Sequence, residues 1–168
     1  YFRHYVFEAY FRRGRGDLFL RDLDEWRETV RVGGSCTFEK GLEFHTKFEP
    51  GAYVMGDYTA LYSLAQNLIE NAIKYTNAPG EITISVYNEE DRAVFSVADT
   101  GVGIDSSEQK NIFNDFYRVG DEMTRSTKGS GLGLAIVKRV AETHKATISL
   151  SSKLGKGSTF TVRFKKVD

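Results

Sequence analysis

Asn67-Leu68-Ile69-Glu70-Asn71-Ala72-Ile73-Lys74 lies inside the strongest helical pattern of the chain. From Asp57 to Thr76, Leu61, Leu64, Leu68 and Ala72 recur at helical spacing and form one apolar stripe. Asp57 suits the N-cap, and Asn77-Ala78-Pro79-Gly80 stops the pattern. Asn67, Asn71 and Lys74 stand at i, i+4 and i+7. At about 100° per residue they fall within about a 60° sector, well away from the leucine stripe. A helix laid on a sheet by its stripe would present these three side chains to one ligand. An amide oxygen is a neutral, hard donor, suited to a magnesium ion that keeps waters and bridges phosphates. Lys74 adds a point charge for phosphate oxygens. The same spacing also suits a solvated helix face, where amides and lysines are common.

Around this helix the pattern alternates between periods. Leu42 to Phe48 reads as a strand with Leu42, Phe44, Thr46 and Phe48 on one face, and Tyr53 to Met55 as a short second one. Glu81 to Tyr87 and Ala93 to Ala98 read as two strands about a turn at Asn88 to Arg92. One short helix is expected near Ser107 to Phe116. A second long helix, about Gly131 to His144, carries Leu132, Ile136, Val137, Val140 and Ala141 on a broad apolar face. Two closing strands, Thr147 to Ser151 and Ser158 to Phe164, flank Leu154-Gly155-Lys156-Gly157. This order predicts an α+β fold, a two-layer α/β sandwich in which a mixed, mostly antiparallel sheet packs on about three helices. Residues 1–32 read as helical and aromatic-rich, broken at Arg12 to Gly16, and Gly33-Gly34-Ser35 is a joint. The expected division is therefore an N-terminal helical segment at 1–35 and one domain at 36–168.

The 168 residues are enough for one domain with a real core. Acidic and basic side chains balance at 23 each, so no overall field draws the chain to nucleic acid or to a lipid surface. The single cysteine, Cys36, excludes an internal disulfide framework. No apolar run approaches the roughly 20 residues of a membrane span, and no signal peptide is visible. The chain opens at Tyr1 rather than Met and is expected to be a piece of a longer polypeptide.

Three further stretches carry chemistry. Asp99-Thr100-Gly101-Val102-Gly103 follows a strand, where a carboxylate can accept a hydrogen bond from an exocyclic amine such as that of adenine. The two glycines let backbone pass close to a flat ring. Glycine at the third and fifth loop positions excludes an EF-hand, though an ordinary Asp-initiated turn has the same look. Gly129-Ser130-Gly131-Leu132-Gly133-Leu134 opens the second long helix, where exposed N–H groups and the dipole favour phosphate. Its spacing is neither that of a Rossmann fingerprint nor that of a P-loop, and glycine clusters often mark plain linkers. Between these motifs Arg118, Arg125 and Lys128 lie on a stretch with few apolar anchors beyond Ile112, Phe113 and Phe116. That suits a lid ordered by phosphate, or equally a surface loop.

In this order and spacing the motifs resemble those of sensor histidine kinases. Asn67 to Thr76 is similar to the N box, Asp99 to Ile104 to the G1 box, and Ile112 to Arg118 to the F box. Gly129 to Lys138 is similar to the G2 box, and Gly155 to Phe160 to the closing hairpin. The resemblance covers about residues 40–166. It implies the Bergerat ATP-binding fold, shared with type II topoisomerases, Hsp90 chaperones and mismatch-repair ATPases.

By that resemblance, Asn71 would hold Mg²⁺ with Asn67 in support, and Lys74 and Arg118 would meet phosphate oxygens. Tyr75 would flank the nucleotide, and Asp99 would read the adenine amine with Gly101, Gly103 and Ile104 around the ring. Lys128, Gly129, Gly131, Leu132 and Gly133 would form the far side of the lid. Asn67, Lys74 and Arg118 would act in catalysis. The implied cofactors are ATP and Mg²⁺. The implied partners are the histidine-bearing dimerisation domain of the same kinase and, through it, a response regulator, with no nucleic acid and no direct membrane contact. The implied setting is a cytoplasmic domain of a protein anchored in the bacterial inner membrane.

One departure matters. The phosphoacceptor pattern His-Glu/Asp-Leu-Arg-x-Pro does not occur in these residues, and His4-Tyr5-Val6-Phe7-Glu8 lacks it. His45 is expected on the solvated face of a strand. His144 is expected to cap a helix end, where a cation is favourable, with Lys145 in place of the familiar glycine. Three other readings share the superfamily: an ATPase of the topoisomerase or chaperone type, an anti-sigma-type serine kinase, and a non-catalytic nucleotide-sensing module. The first would need a glutamate where this chain has Asn67.

Overall fold

The structure, a computed structural model, describes residues 41–118 and 131–167. The expected helix within residues 1–32, the Gly33 joint, Lys128 and Gly129 lie outside the described residues. The element order is β1 (Leu42–Phe48), α1 (Tyr58–Tyr75), β2 (Gly80–Glu89), β3 (Arg92–Asp99), α2 (Gly133–Thr143), β4 (Thr147–Lys153) and β5 (Gly157–Lys165).

The strands form one five-stranded sheet in the order β1-β2-β3-β5-β4. Among the described strands only β1 and β2 run parallel, because α1 carries the chain back between them; the other three pairings are antiparallel. Period-2 alternation gives every strand one face toward the helices. The registers line these faces up in lateral rows. Phe48, Val86, Phe95, Val162 and Ile148 form one row, and Thr46, Ile84, Val97, Phe160 and Leu150 the next. α1 buries Leu61, Leu64, Ala65, Leu68, Ile69 and Ala72 against this surface, and α2 buries Ala135, Val137 and Ala141. Leu68, Ile82, Val137 and Val162 are fully enclosed. The two-layer sandwich with a mixed sheet is therefore as the sequence predicts.

Local chemistry explains the differences. Tyr53 to Met55 is not a strand: only Val54 bridges, to Lys166, and Met55 is 79% exposed. The expected third helix at Ser107 to Phe116 is a chain of turns, so the described residues contain two helices. Asp105 captures both the N–H and the hydroxyl of Ser107, later bonds run mostly from i to i−3, and Phe116 has a φ of 62°. The anchors there are unequal: Ile112 is buried and Phe113 stacks edge-on against Phe160, but Phe116 is 72% exposed. α2 begins at Gly133 rather than Gly131, because Gly131 has a left-handed φ of 76°.

His144 is the C-cap of α2, the helix-end place that the sequence gives it. Its Nε2 accepts the Asp57 N–H at 3.0 Å, and its Nδ1 lies 2.8 Å from the Val140 carbonyl. An imidazole that accepts at one nitrogen and donates at the other is the neutral tautomer. The ring thus ties the end of α2 to the N-cap of α1, edge-on to Phe164. His45 does lie on the outward face of β1, but Glu43 and Glu81 flank it at 3.9 and 3.8 Å. These three exposed side chains are the only His/Cys/Asp/Glu group close enough to share an ion among the described residues, and they face away from α1.

Candidate nucleotide site

The third lateral row of the helix-facing surface changes character. Phe44 and Ile82 continue the apolar pattern, but β3, β5 and β4 contribute Asp99, Ser158 and Ser152. The core therefore ends in a polar shelf, and Asp99 is its charged member. Asp99 Oδ1 accepts the Gly101 N–H at 2.8 Å and the Ser158 N–H at 3.3 Å. Burial pushes this carboxyl above the ordinary aspartate range, and the two N–H donors partly oppose the shift. With Oδ1 engaged by the backbone, Oδ2 is the oxygen available to an outside donor.

The loop after Asp99 is held on both sides. Val102 N–H donates to the Tyr75 carbonyl at the end of α1, and Gly155 N–H donates to the Val102 carbonyl. Gly103 sits so close to the β4–β5 hairpin that a Cβ would fall 2.1 Å from the Lys153 carbonyl, and its φ is 68°. Glycine at this position is set by the protein's own backbone as well as by any ring. Ile104 donates its N–H to Ser152 Oγ.

At the other end, α1 and α2 meet. A Cβ on Gly133 would lie 2.8 Å from Asn67 Oδ1 and 3.8 Å from Asn71 Nδ2. The first residue of α2 thus faces both asparagines. Asn67 directs Nδ2 back to the Ser63 carbonyl at 2.7 Å, which leaves Oδ1 toward the α2 N-terminus. Both asparagines are half-buried, on the side of α1 that the start of α2 approaches. Lys74 is half-buried, and its ammonium lies 5.0 Å from the centre of the Tyr75 ring. Arg118 is half-buried at the end of the turn segment, and Asp115 in that segment meets Arg139 of α2 at 3.6 Å.

Asn67, Asn71, Gly131, Leu132 and Gly133 are thus gathered where α1 meets the start of α2. Asp99, Gly101, Gly103 and Ile104 line the shelf, with Tyr75 and Lys74 beside them. Sequence reasoning missed Ser158 and Ser152. Their signal was present in the alternation Phe160/Ser158 and Leu150/Ser152, but only the register brings them beside Asp99.

A carboxylate on a polar shelf and two carboxamides facing a glycine-opened helix N-terminus offer the kinds of group that a nucleotide with its phosphates needs. The family described as histidine kinase-, DNA gyrase B- and HSP90-like ATPase matches residues 56–168, so the chain belongs to that family and is an ATP-binding domain of it. Sensor histidine kinase RppB of Synechocystis is 44% identical over 111 residues, 66% of this chain and 24% of that protein. The mycobacterial sensor histidine kinase MprB superposes with a TM-score of 0.70 at 26% identity, covering 88% of this chain and 94% of that one. Full-length ShkA in complex with AMPPNP superposes with a TM-score of 0.69 at 29% identity, covering 84% of this chain and 29% of that one. The chain thus spans about a quarter of the length of the first of these relatives. Among the described residues no helix is long and apolar enough to cross a membrane.

Proposed function

We propose that this chain is the catalytic domain of a two-component sensor histidine kinase. It binds ATP with Mg²⁺ and delivers the γ-phosphoryl group to a histidine on a separate dimerisation domain. The observation that carries this reading is the meeting of Asn67 and Asn71 with the start of α2, on the same helix whose end at Tyr75 holds the loop after Asp99.

Asp99 Oδ2 accepts the adenine amine, and Tyr75 covers one side of the ring. Backbone N–H groups at the start of α2, with Lys74 and Arg118, meet the phosphate oxygens. The half-buried carboxamides beside Gly133 fit a hard cation: Asn71 holds it and Asn67 orients the site. When bound, Mg²⁺ neutralises charge on the phosphates. The chain's own contribution is to align the triphosphate and exclude water, since phosphoryl transfer is largely positioning and charge stabilisation. Hydrolysis as the main reaction finds little support. Asn67 stands where a water-activating carboxylate would be needed, and Glu70 is exposed and engaged with Gln66 at 2.7 Å.

The test supplies the chain with ATP, Mg²⁺ and a dimerisation domain carrying an acceptor histidine in trans. Acid-labile phosphohistidine on that domain is expected, and Asn71→Ala should abolish it together with Mg²⁺-dependent binding of an ATP analogue. Release of inorganic phosphate alone would overturn the kinase reading. In the complete protein the same chemistry would feed a response regulator and be tied to a membrane-anchored sensor.

A further inference from the structure

We propose that Gln109 and Ser152, whose bonds all run to the protein's own backbone and to Ser158, are positioning residues that fix the adenine-reading carboxylate. The proposal rests on the nucleotide-site reading above. Asp99, Ser158 and Ser152 stand opposite one another on β3, β5 and β4. Ser152 spends its single hydroxyl hydrogen on the Gly157 carbonyl at 3.0 Å. The 3.0 Å contact between the two serine hydroxyls therefore runs from Ser158 as donor to Ser152 as acceptor. Ser152 Oγ also accepts the Ile104 N–H at 2.8 Å, which fills its bonding capacity.

Ser158, tied to Ser152 through its hydroxyl, is also the residue whose backbone N–H holds Asp99 Oδ1. Gln109 closes the arrangement from the other side. Its amide nitrogen donates to the Ile104 carbonyl at 2.9 Å and to the Ser152 carbonyl at 3.1 Å. One carboxamide thus joins the loop after Asp99, the end of β4 and the start of the segment that leads to Arg118. A side chain without two donors cannot make both bonds. Loosening either residue lets the Asp99 carboxylate rotate, which blurs the choice between an amine and a carbonyl on the purine.

The test measures affinity of the chain for a non-hydrolysable ATP analogue and for its inosine counterpart, which presents a carbonyl where adenine has the amine. Ser152→Ala and Gln109→Met should each shrink the adenine-over-inosine preference roughly 3- to 10-fold, the worth of one or two neutral hydrogen bonds. Ser152→Thr, which keeps the hydroxyl, should retain it. Weakening of both nucleotides alike, or an unchanged preference in both variants, would overturn the proposal. Asp99→Asn serves as the reference: if it too leaves the preference intact, the site reading itself has failed. Should Ser152→Ala not fold, Gln109→Met, which lies outside the sheet, still decides the matter.

Discussion

At Asp99, stability and the proposed adenine recognition pull in opposite directions. Burial raises the carboxyl's pKa, so the fold favours the protonated form, whereas an amine needs the ionised one as acceptor. The stabilising contribution is fully present below the unfolded value and is lost as pH rises through the raised folded value. Affinity for an ATP analogue therefore falls on acidification through that raised value, starting at a higher pH than an ordinary aspartate would give. A titration of binding against pH reads this directly, and Asp99→Asn should lose that limb. In the Asn variant, Oδ1 keeps the Gly101 and Ser158 N–H groups, so the NH₂ must face the adenine amine, donor against donor. The expected loss is about 10- to 100-fold in affinity, with no fall in the melting temperature of the free chain. A second residue-scale prediction concerns Gly133→Ala. Alanine favours the helix by roughly 0.5–1 kcal/mol over glycine, yet its Cβ would crowd Asn67 Oδ1. Calorimetry should show a fold that is no less stable and a Mg²⁺-dependent affinity weakened by about tenfold, since the displaced carboxamide corresponds to one or two hydrogen bonds.

Elements are held by local bargains that a pattern only partly reveals. α1 behaves as its sequence says, down to the Asp57 side chain that accepts the Ala60 N–H at 2.8 Å. α2 ends at Thr143, and Lys145 turns the chain with a left-handed φ of 52°. A β-carbon in that region costs energy that glycine avoids. Lys145→Gly is expected to raise stability by about 0.5–1 kcal/mol, measured as a higher denaturant midpoint with unchanged slope. The segment at Ser107 to Phe116 misled the helical reading because Ile112, Phe113 and Phe116 mimic helical spacing. Side-chain bonds at Asp105, and the contact of Tyr117 hydroxyl with Glu108, compete with a helical ladder there. Tyr53 to Met55 failed as a strand for a different reason: apolar residues at short range do not supply a partner edge, and only Val54 found one.

Over the whole molecule, the site exists because two helices are held side by side on one sheet. His144 is a tie between them, from the end of α2 to the start of α1, with its ring against Phe164 and close to Gly56. His144→Ala removes a half-buried ring and one exposed tie to the Asp57 N–H, and should cost about 0.5–1.5 kcal/mol. Equilibrium unfolding checks this, and nucleotide should recover part of the loss by binding the folded form.

The sequence by itself determined the two long helices, the five strands and the residue types that each one carries. Hydrophobic period is a local property, so α1, α2 and the five strands could be read from spacing, and so could the carboxamides, Asp99 and the glycine motif. Tertiary structure alone decided how these meet. The cross-strand register set Ser158 and Ser152 beside Asp99, and the packing of α2 on α1 brought Gly133 to Asn67. It also made the capping residue His144 a bridge to the start of α1. Register and helix contact join residues tens of positions apart, and no local periodicity encodes which of them become neighbours.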